Sequence, residues 1–166
     1  GTIENESRFL EKLNKERIGA RLILHDSELL MYEFVEGELI LDFIEASTKK
    51  DVILMLKKVF DQLYTLDKLG INKFEMHHPI KHVLITKEKK PVLIDAKKSK
   101  ISGISKTANA VLIDFERARF TEDPKNVTQF CDFLIGKDMS RLLVEKRINI
   151  KKEMMIKKAK DYKKKL

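Results

Sequence analysis

The segment "KKDVILMLKKVFDQLYTLDKLG", residues 49–70, constrains the chain more than any other. Val52, Leu56, Val59, Phe60, Leu63 and Leu66 recur near the helical period, which predicts a helix with one apolar face that ends at Gly70. Such a stripe must be buried against other elements. The rest of the chain supplies both strands and helices. "ARLILHDSELLMYEFVEG" reads as two strands around a turn at His25-Asp26-Ser27, and "HVLIT" and "PVLID" as a hairpin around "KEKK". "AVLIDFERARF" reads as a further strand ending near Asp114, after an exposed basic loop, "KKSKISGISKTAN". Residues 3–16 carry an apolar stripe of Ile3, Phe9, Leu10 and Leu13 and stop by Gly19. "ELILDFIEA" suits a short helix or an extended segment. "PKNVTQFCDFLIG" suits a helix opened by Pro124 and closed near Gly136. The last ~25 residues read as one long helix with an imperfect apolar face. The order of elements predicts an α+β domain whose centre is mostly helical.

A length of 166 residues suits one domain with a real core. With 43% hydrophobic and 36% charged residues, a disordered chain is excluded. No apolar run approaches the ~18 residues of a membrane-spanning helix, and the polar, acidic start is no secretory signal. The lone Cys131 excludes an internal disulfide and a Cys-rich zinc site, so a reducing, cytoplasmic setting is expected. The net charge of +8 is carried by residues 146–166, with ten Lys/Arg against two Asp/Glu, while the body balances. A basic tail of this kind suits nucleic acid or an acidic partner, or is simply a solvated helix. A membrane surface is disfavoured, because Tyr162 is the tail's one aromatic anchor.

Chemistry concentrates in two stretches. "VLIDFERARF" delivers Asp114 at the end of an apolar strand, and "VLID" also occurs at residues 92–95, ending in Asp95. A carboxylate on a rigid strand end suits Mg²⁺, which prefers hard oxygen ligands, although such an Asp can also simply cap a turn. "FEMHHPIKHVLI" holds Glu75 as its only carboxylate, beside His77, His78, Lys81 and His82. Zinc is disfavoured there, since adjacent His77 and His78 diverge and too few other ligands are at hand.

In order and spacing these segments follow a known scheme. "LLMYEFVEGE" looks like a kinase hinge, and "GINKFEMHHPIKHVLI" like a catalytic loop followed by a strand. "VLIDFE" looks like the metal-binding strand end, where many kinases have Asp-Phe-Gly. "NESRFLEKLNKERIGARLIL" looks like the regulatory helix and next strand of the smaller lobe. Over roughly residues 4–140 the chain resembles the atypical, mostly archaeal serine/threonine protein kinases related to the RIO kinases and to the kinase of the KEOPS complex.

The resemblance implies a protein-kinase-like fold: a mainly helical large lobe with short hairpins and a truncated small lobe. It divides the chain into a small-lobe remnant and hinge strand at 1–36, a large lobe at 37–145 and a basic helical tail at 146–166. It implies ATP and Mg²⁺ as cofactors, with transfer of the γ-phosphate to an unknown protein substrate. By position, Asp114 is the expected metal ligand and His82 occupies the second-metal position. Asp95 is the rival, lying 13 residues after His82, near the ordinary interval, whereas Asp114 requires an insertion of 19 residues. Asp114 is preferred because an aromatic follows it. Glu75 is the expected base, shifted by two residues, with His77 as the alternative at the regular spacing. Lys81 would neutralise phosphate charge. Met31 would wall the adenine pocket, with backbone groups from Glu33 to Val35 binding the base, and Glu6 matches the regulatory-helix glutamate.

Departures from the pattern matter too. Only five residues precede Glu6, which leaves no room for a Gly-rich loop or its strand Lys, and no Ala-Pro-Glu follows Asp114. Two other classes therefore stay open. One is a non-catalytic kinase-fold scaffold in a nucleic-acid or tRNA-modification assembly. The other is a small basic RNA-binding domain.

Overall fold

The computed structural model describes residues 2–89 and 106–166. Its centre is the helix anticipated from the apolar stripe, α3 (Lys49–Lys68), whose Val52, Met55, Leu56, Val59, Leu63 and Leu66 are buried. Thr48 starts it: its hydroxyl accepts from Asp51 N at 3.3 Å and donates to Asp51 Oδ2 at 2.8 Å. Gly70 ends it at φ 65°, a left-handed conformation that favours glycine. There a Cβ would lie 3.2 Å from Thr121 O, the residue whose N–H bonds Gly70 O.

Helix α1 (Thr2–Lys15) buries Phe9, Leu10 and Leu13 and leads through Gly19 into the hairpin β1 (Leu22–His25) and β2 (Leu30–Tyr32). Asp26 makes the turn, its Oδ1 accepting from Glu28 N and Leu29 N at 2.8 Å each, and these bonds hold its carboxyl below the usual carboxylate range. "ELILDFIEA" splits between both expected forms, giving the short strand β3 (Glu38–Leu39) and the helix α2 (Ile40–Ala46).

Beyond α3, the strand β4 (Ile71–Asn72) pairs with β7 (Arg119–Phe120). A three-stranded antiparallel sheet has the order β3-β5-β6, with β5 at Val83–Lys89 and β6 at Lys106–Leu112. The ladder runs from Val83↔Leu112 to Lys89↔Lys106. The partner expected for "HVLIT", residues 91–95 with Asp95, lies outside the described residues. Helix α3 covers the outer strand of this sheet: Lys58 Nζ donates to Ala108 O, and Gln62 Nε2 to Ala110 O at 2.7 Å.

Three helices finish the chain: α4 (Asn126–Ile135), α5 (Lys137–Glu145) and α6 (Lys152–Lys165). The single long terminal helix expected from the sequence is therefore broken. Arg147 turns left-handed at φ 58°, and Ile148 N bonds Leu143 O at 2.8 Å, which closes α5. Lys146 Nζ fastens the break to Glu45 O and Ser47 O. Helix α6 lays Met155, Ala159 and Tyr162 on the core. Among the described residues no helix is long and apolar enough to cross a membrane.

Asp67, on the last turn of α3, is 3% exposed and joins these parts. Its Oδ1 accepts from Asn126 N and Nδ2, and its Oδ2 accepts from Val127 N and from the Tyr162 hydroxyl at 2.8 Å. Burial, with the Asp67 bond and charge adding to it, raises the Tyr162 phenol above its ordinary pKa. Asp67→Ala is expected to cost about 3 kcal/mol or more in urea unfolding, because it strands several buried donors. Tyr162→Phe should cost about 1 kcal/mol. An Asp67→Ala chain as stable as its parent would contradict this account.

Candidate nucleotide and cation site

The antiparallel register of β5 and β6 brings the two chemical stretches together. Past the last ladder pair, Ile113 N donates to His82 O at 3.0 Å. Asp114 follows immediately, at φ 65°. An aspartate tolerates this left-handed conformation better than most residues, but it must be held there.

Two side chains do so, from opposite ends of the chain. Lys73, 2% exposed, donates from Nζ to Asp114 O at 2.7 Å, with the Phe115 ring centroid 5.0 Å away. Glu6, from α1, accepts from Phe115 N at 3.2 Å. The carbonyl of Asp114 and the next N–H are thus both clamped. Lys73 is itself anchored, since its backbone N–H donates to Asn126 Oδ1 at 2.8 Å and Asn126 rests on Asp67.

Phe74 and Glu75 follow at φ 69° and 59°, so the chain reverses sharply after β4. This reversal turns Glu75 inward. Its Oε2 lies 2.9 Å from His82 Nε2, and its Oε1 accepts from Arg117 Nη1 at 3.0 Å. His82 Nδ1 sits 3.4 Å from Asp114 Oδ2 without the geometry of a hydrogen bond, and is buried with no other partner among the described residues. One ligand atom from each of Glu75, His82 and Asp114 falls within 4.8 Å of the others. Their side chains are 38%, 14% and 43% exposed, so the cluster opens to solvent on its carboxylate side. Two carboxylate oxygens and an imidazole nitrogen form a donor set that fits a divalent cation.

Beside this cluster lies a cavity of about 310 Å³ lined by Glu6, Tyr32, Phe34, Val35, Leu84, Ile113 and Asp114. Of the residues anticipated for cofactor binding, Val35 and Glu6 line it. Met31 does not line it and is 43% exposed, and Glu33 pairs outward with Arg21 at 2.9 Å. Tyr32 and Phe34 line it beside Val35. His77 is exposed, with its ring 4.5 Å from that of His78, and lies outside the cluster. Lys81 is exposed on the 3₁₀ turn Pro79–Lys81 that leads into His82.

Burial pulls Lys73 down to about 8, against the attraction of Asp114, Glu75 and Glu6. Burial, and then the Lys73 charge, holds His82 below its ordinary value. Burial raises Glu6, aided by Asp114 and Glu116 and opposed by the Phe115 bond and Lys73. Lys73 and Arg117 were not singled out from sequence.

Lys73 carries a stability prediction. Its ordinary pKa is 10.5 and its folded value about 8, so the unfolded chain binds the extra proton between the two. Burying the charge costs stability below about 8, and that cost fades as the pH rises towards 10.5. Relative to Lys73→Met, the parent should gain on the order of 3 kcal/mol from neutral pH to the top of that window. A parent–variant difference that is flat with pH in urea titrations would refute the burial of this charge.

By sequence, no protein-family model and no curated protein matches the chain. By structure, it is similar to the Rio2 kinase from Chaetomium thermophilum, with a TM-score of 0.54 at 17% identity over 87% of this chain and 39% of that one. It is also similar to the Rio2 kinase-ADP/Mg²⁺-phosphoaspartate complex from the same organism, with a TM-score of 0.59 at 17% identity over 90% of this chain and 40% of that one. The chain spans about two fifths of the length of these kinases. Its fold, over that span, is an atypical RIO-like kinase fold.

Proposed function

We propose that this chain binds ATP with a divalent cation and serves phosphoryl transfer to a serine or threonine hydroxyl. The observation that carries the reading is the convergence of Glu75, His82 and Asp114 beside the cavity lined by Tyr32, Phe34, Val35 and Glu6. In this reading residues 1–36 are a small-lobe remnant and hinge strand, 37–145 the large lobe and 146–166 a basic helical tail. The Rio2 kinase complex with ADP and Mg²⁺ supports the choice of ligand.

Phosphoryl transfer asks a protein mainly for positioning and charge. The adenine would enter among Tyr32, Phe34 and Val35, with its phosphates towards Asp114. A bound Mg²⁺ supplies charge neutralisation on the β- and γ-phosphates. Asp114 and His82 would hold it, with Glu75 beside them. A hydroxyl oxygen then bonds the γ-phosphorus, the bond to the β–γ bridging oxygen breaks, and ADP leaves. Glu75 is positioned to orient that hydroxyl and accept its proton. Lys81, next to His82, is the candidate for steadying phosphate charge. The setting is cytoplasmic, and the exposed lysines of α6, among them Lys157, Lys158 and Lys160, offer a salt-dependent contact to a phosphate-rich partner.

One observation favours a second reading. Both oxygens of Glu75 are engaged, one by Arg117 and one by His82, which suits a nucleotide-binding scaffold that does not transfer phosphate. Two measurements separate the readings. Calorimetry with a non-hydrolysable ATP analogue should show Mg²⁺-dependent binding that weakens by about tenfold or more in Asp114→Ala. Radiolabelled ATP should then yield phosphate on a Ser/Thr-rich protein acceptor for a kinase, and none for a scaffold. No nucleotide binding by the parent would refute both readings.

A further inference from the structure

Within the cluster, the two ring nitrogens of His82 have different partners. Nε2 faces Glu75 Oε2 at 2.9 Å, and an ionised carboxylate only accepts, so Nε2 carries the proton. A neutral imidazole has one N–H, which leaves Nδ1 with a free lone pair. That lone pair is buried and has no hydrogen bond among the described residues, and Asp114 Oδ2 lies 3.4 Å away, off the direction of a hydrogen bond. Two acceptors this close repel each other unless they share a positive charge. Two donors each about 2.2 Å from one ion, at right angles to each other, lie about 3 Å apart. The observed spacing is close to that.

Glu75 then has a different relation to the cluster from that of Asp114. It is locked from behind by Arg117 Nη1 at 3.0 Å and grips the far side of the imidazole. A carboxylate on the outer nitrogen of a metal-binding histidine fixes the ring's tautomer and orientation and raises its basicity. Lys73 and Glu6 hold the Asp114–Phe115 peptide from its carbonyl and its N–H. The pair is therefore pre-organised on both sides.

We infer that His82 Nδ1 and Asp114 hold one cation as a nitrogen–oxygen pair, with Glu75 as the group that positions the imidazole, and that the site accordingly prefers a transition-series divalent cation such as Mn²⁺ over Mg²⁺. The inference rests on the nucleotide-site reading and deepens it. Its physical basis is ligand type: Mg²⁺ demands hard oxygens, whereas an imidazole nitrogen strengthens binding of first-row transition ions. In this account Glu75 acts on the cation through the imidazole and is not itself a ligand.

Mn²⁺ is the probe, because its unpaired electrons report bound nitrogen directly. Calorimetry of ADP binding in Mn²⁺ and in Mg²⁺ gives the preference, and electron spin-echo modulation of the Mn²⁺–ADP complex gives the ligand. The parent should prefer Mn²⁺ by about tenfold or more and show one directly bound imidazole nitrogen. His82→Asn keeps a hydrogen-bonding group in place, and should lose the nitrogen modulation and most of the Mn²⁺ preference while still binding ADP. Glu75→Gln should keep the nitrogen signal and weaken Mn²⁺ by about tenfold. ADP binding with equal use of the two cations and no nitrogen signal would overturn this inference and leave the nucleotide site standing. Absence of ADP binding with either cation would overturn both.

Discussion

The buried ammonium of Lys73 bonded to the carbonyl of Asp114 is the contact on which the site depends. It reaches down through the Lys73 backbone to Asn126, and through Asn126 to Asp67 on the central helix. From Asp67 the same chain of bonds continues to α4 and, by the Tyr162 hydroxyl, to α6. A charge hidden this deeply is costly unless it is paired and hydrogen-bonded. Its retention here is explained by what it holds: a left-handed aspartate whose side chain must face His82 rather than solvent.

Geometry at the site therefore comes from the fold's regular parts rather than from a loop acting alone. The β5–β6 register sets His82 opposite Ile113, one residue before Asp114. The β4–β7 pair sets the height of Lys73 and Glu75. Helix α1 contributes Glu6, and Asn5 ties it to the segment after Asp114 by bonds to Glu116 O and Ala118 O at 2.8 and 2.9 Å. A site built this way resists distortion, which is what positioning phosphates and a cation requires.

Much of this was legible in the sequence, and the reasons for the rest are specific. Periodicity marked α1, α3 and α4, because each has one apolar face and a Gly or Pro at a boundary. It did not mark the break at Arg147, where no Gly or Pro gives notice and the left-handed turn is held by Lys146 bonding back to α2 and the loop beyond it. Glu75, His82 and Asp114 stood out as strand-end and loop residues. Lys73 did not, since a lone lysine reads as surface until the pairing of β4 with β7 buries it. Met31 was expected as a cavity wall, whereas Tyr32 and Phe34 line the cavity beside Val35, because residue order shows that a segment passes a pocket but not which of its side chains meet it. Asp95 belongs to the part of the chain outside the described residues, so the choice of Asp114 rests on Asp114's own surroundings.

The most direct test of the account is an amide NMR map of the isotopically labelled chain titrated with ADP and a trace of Mn²⁺, read as paramagnetic broadening. The account predicts that signals of His82, Ile113, Asp114 and Phe115 fade first, with Val35 shifting as the base binds and α6 unaffected. Broadening centred on the lysines of α6, with the Asp114 turn untouched, would contradict it.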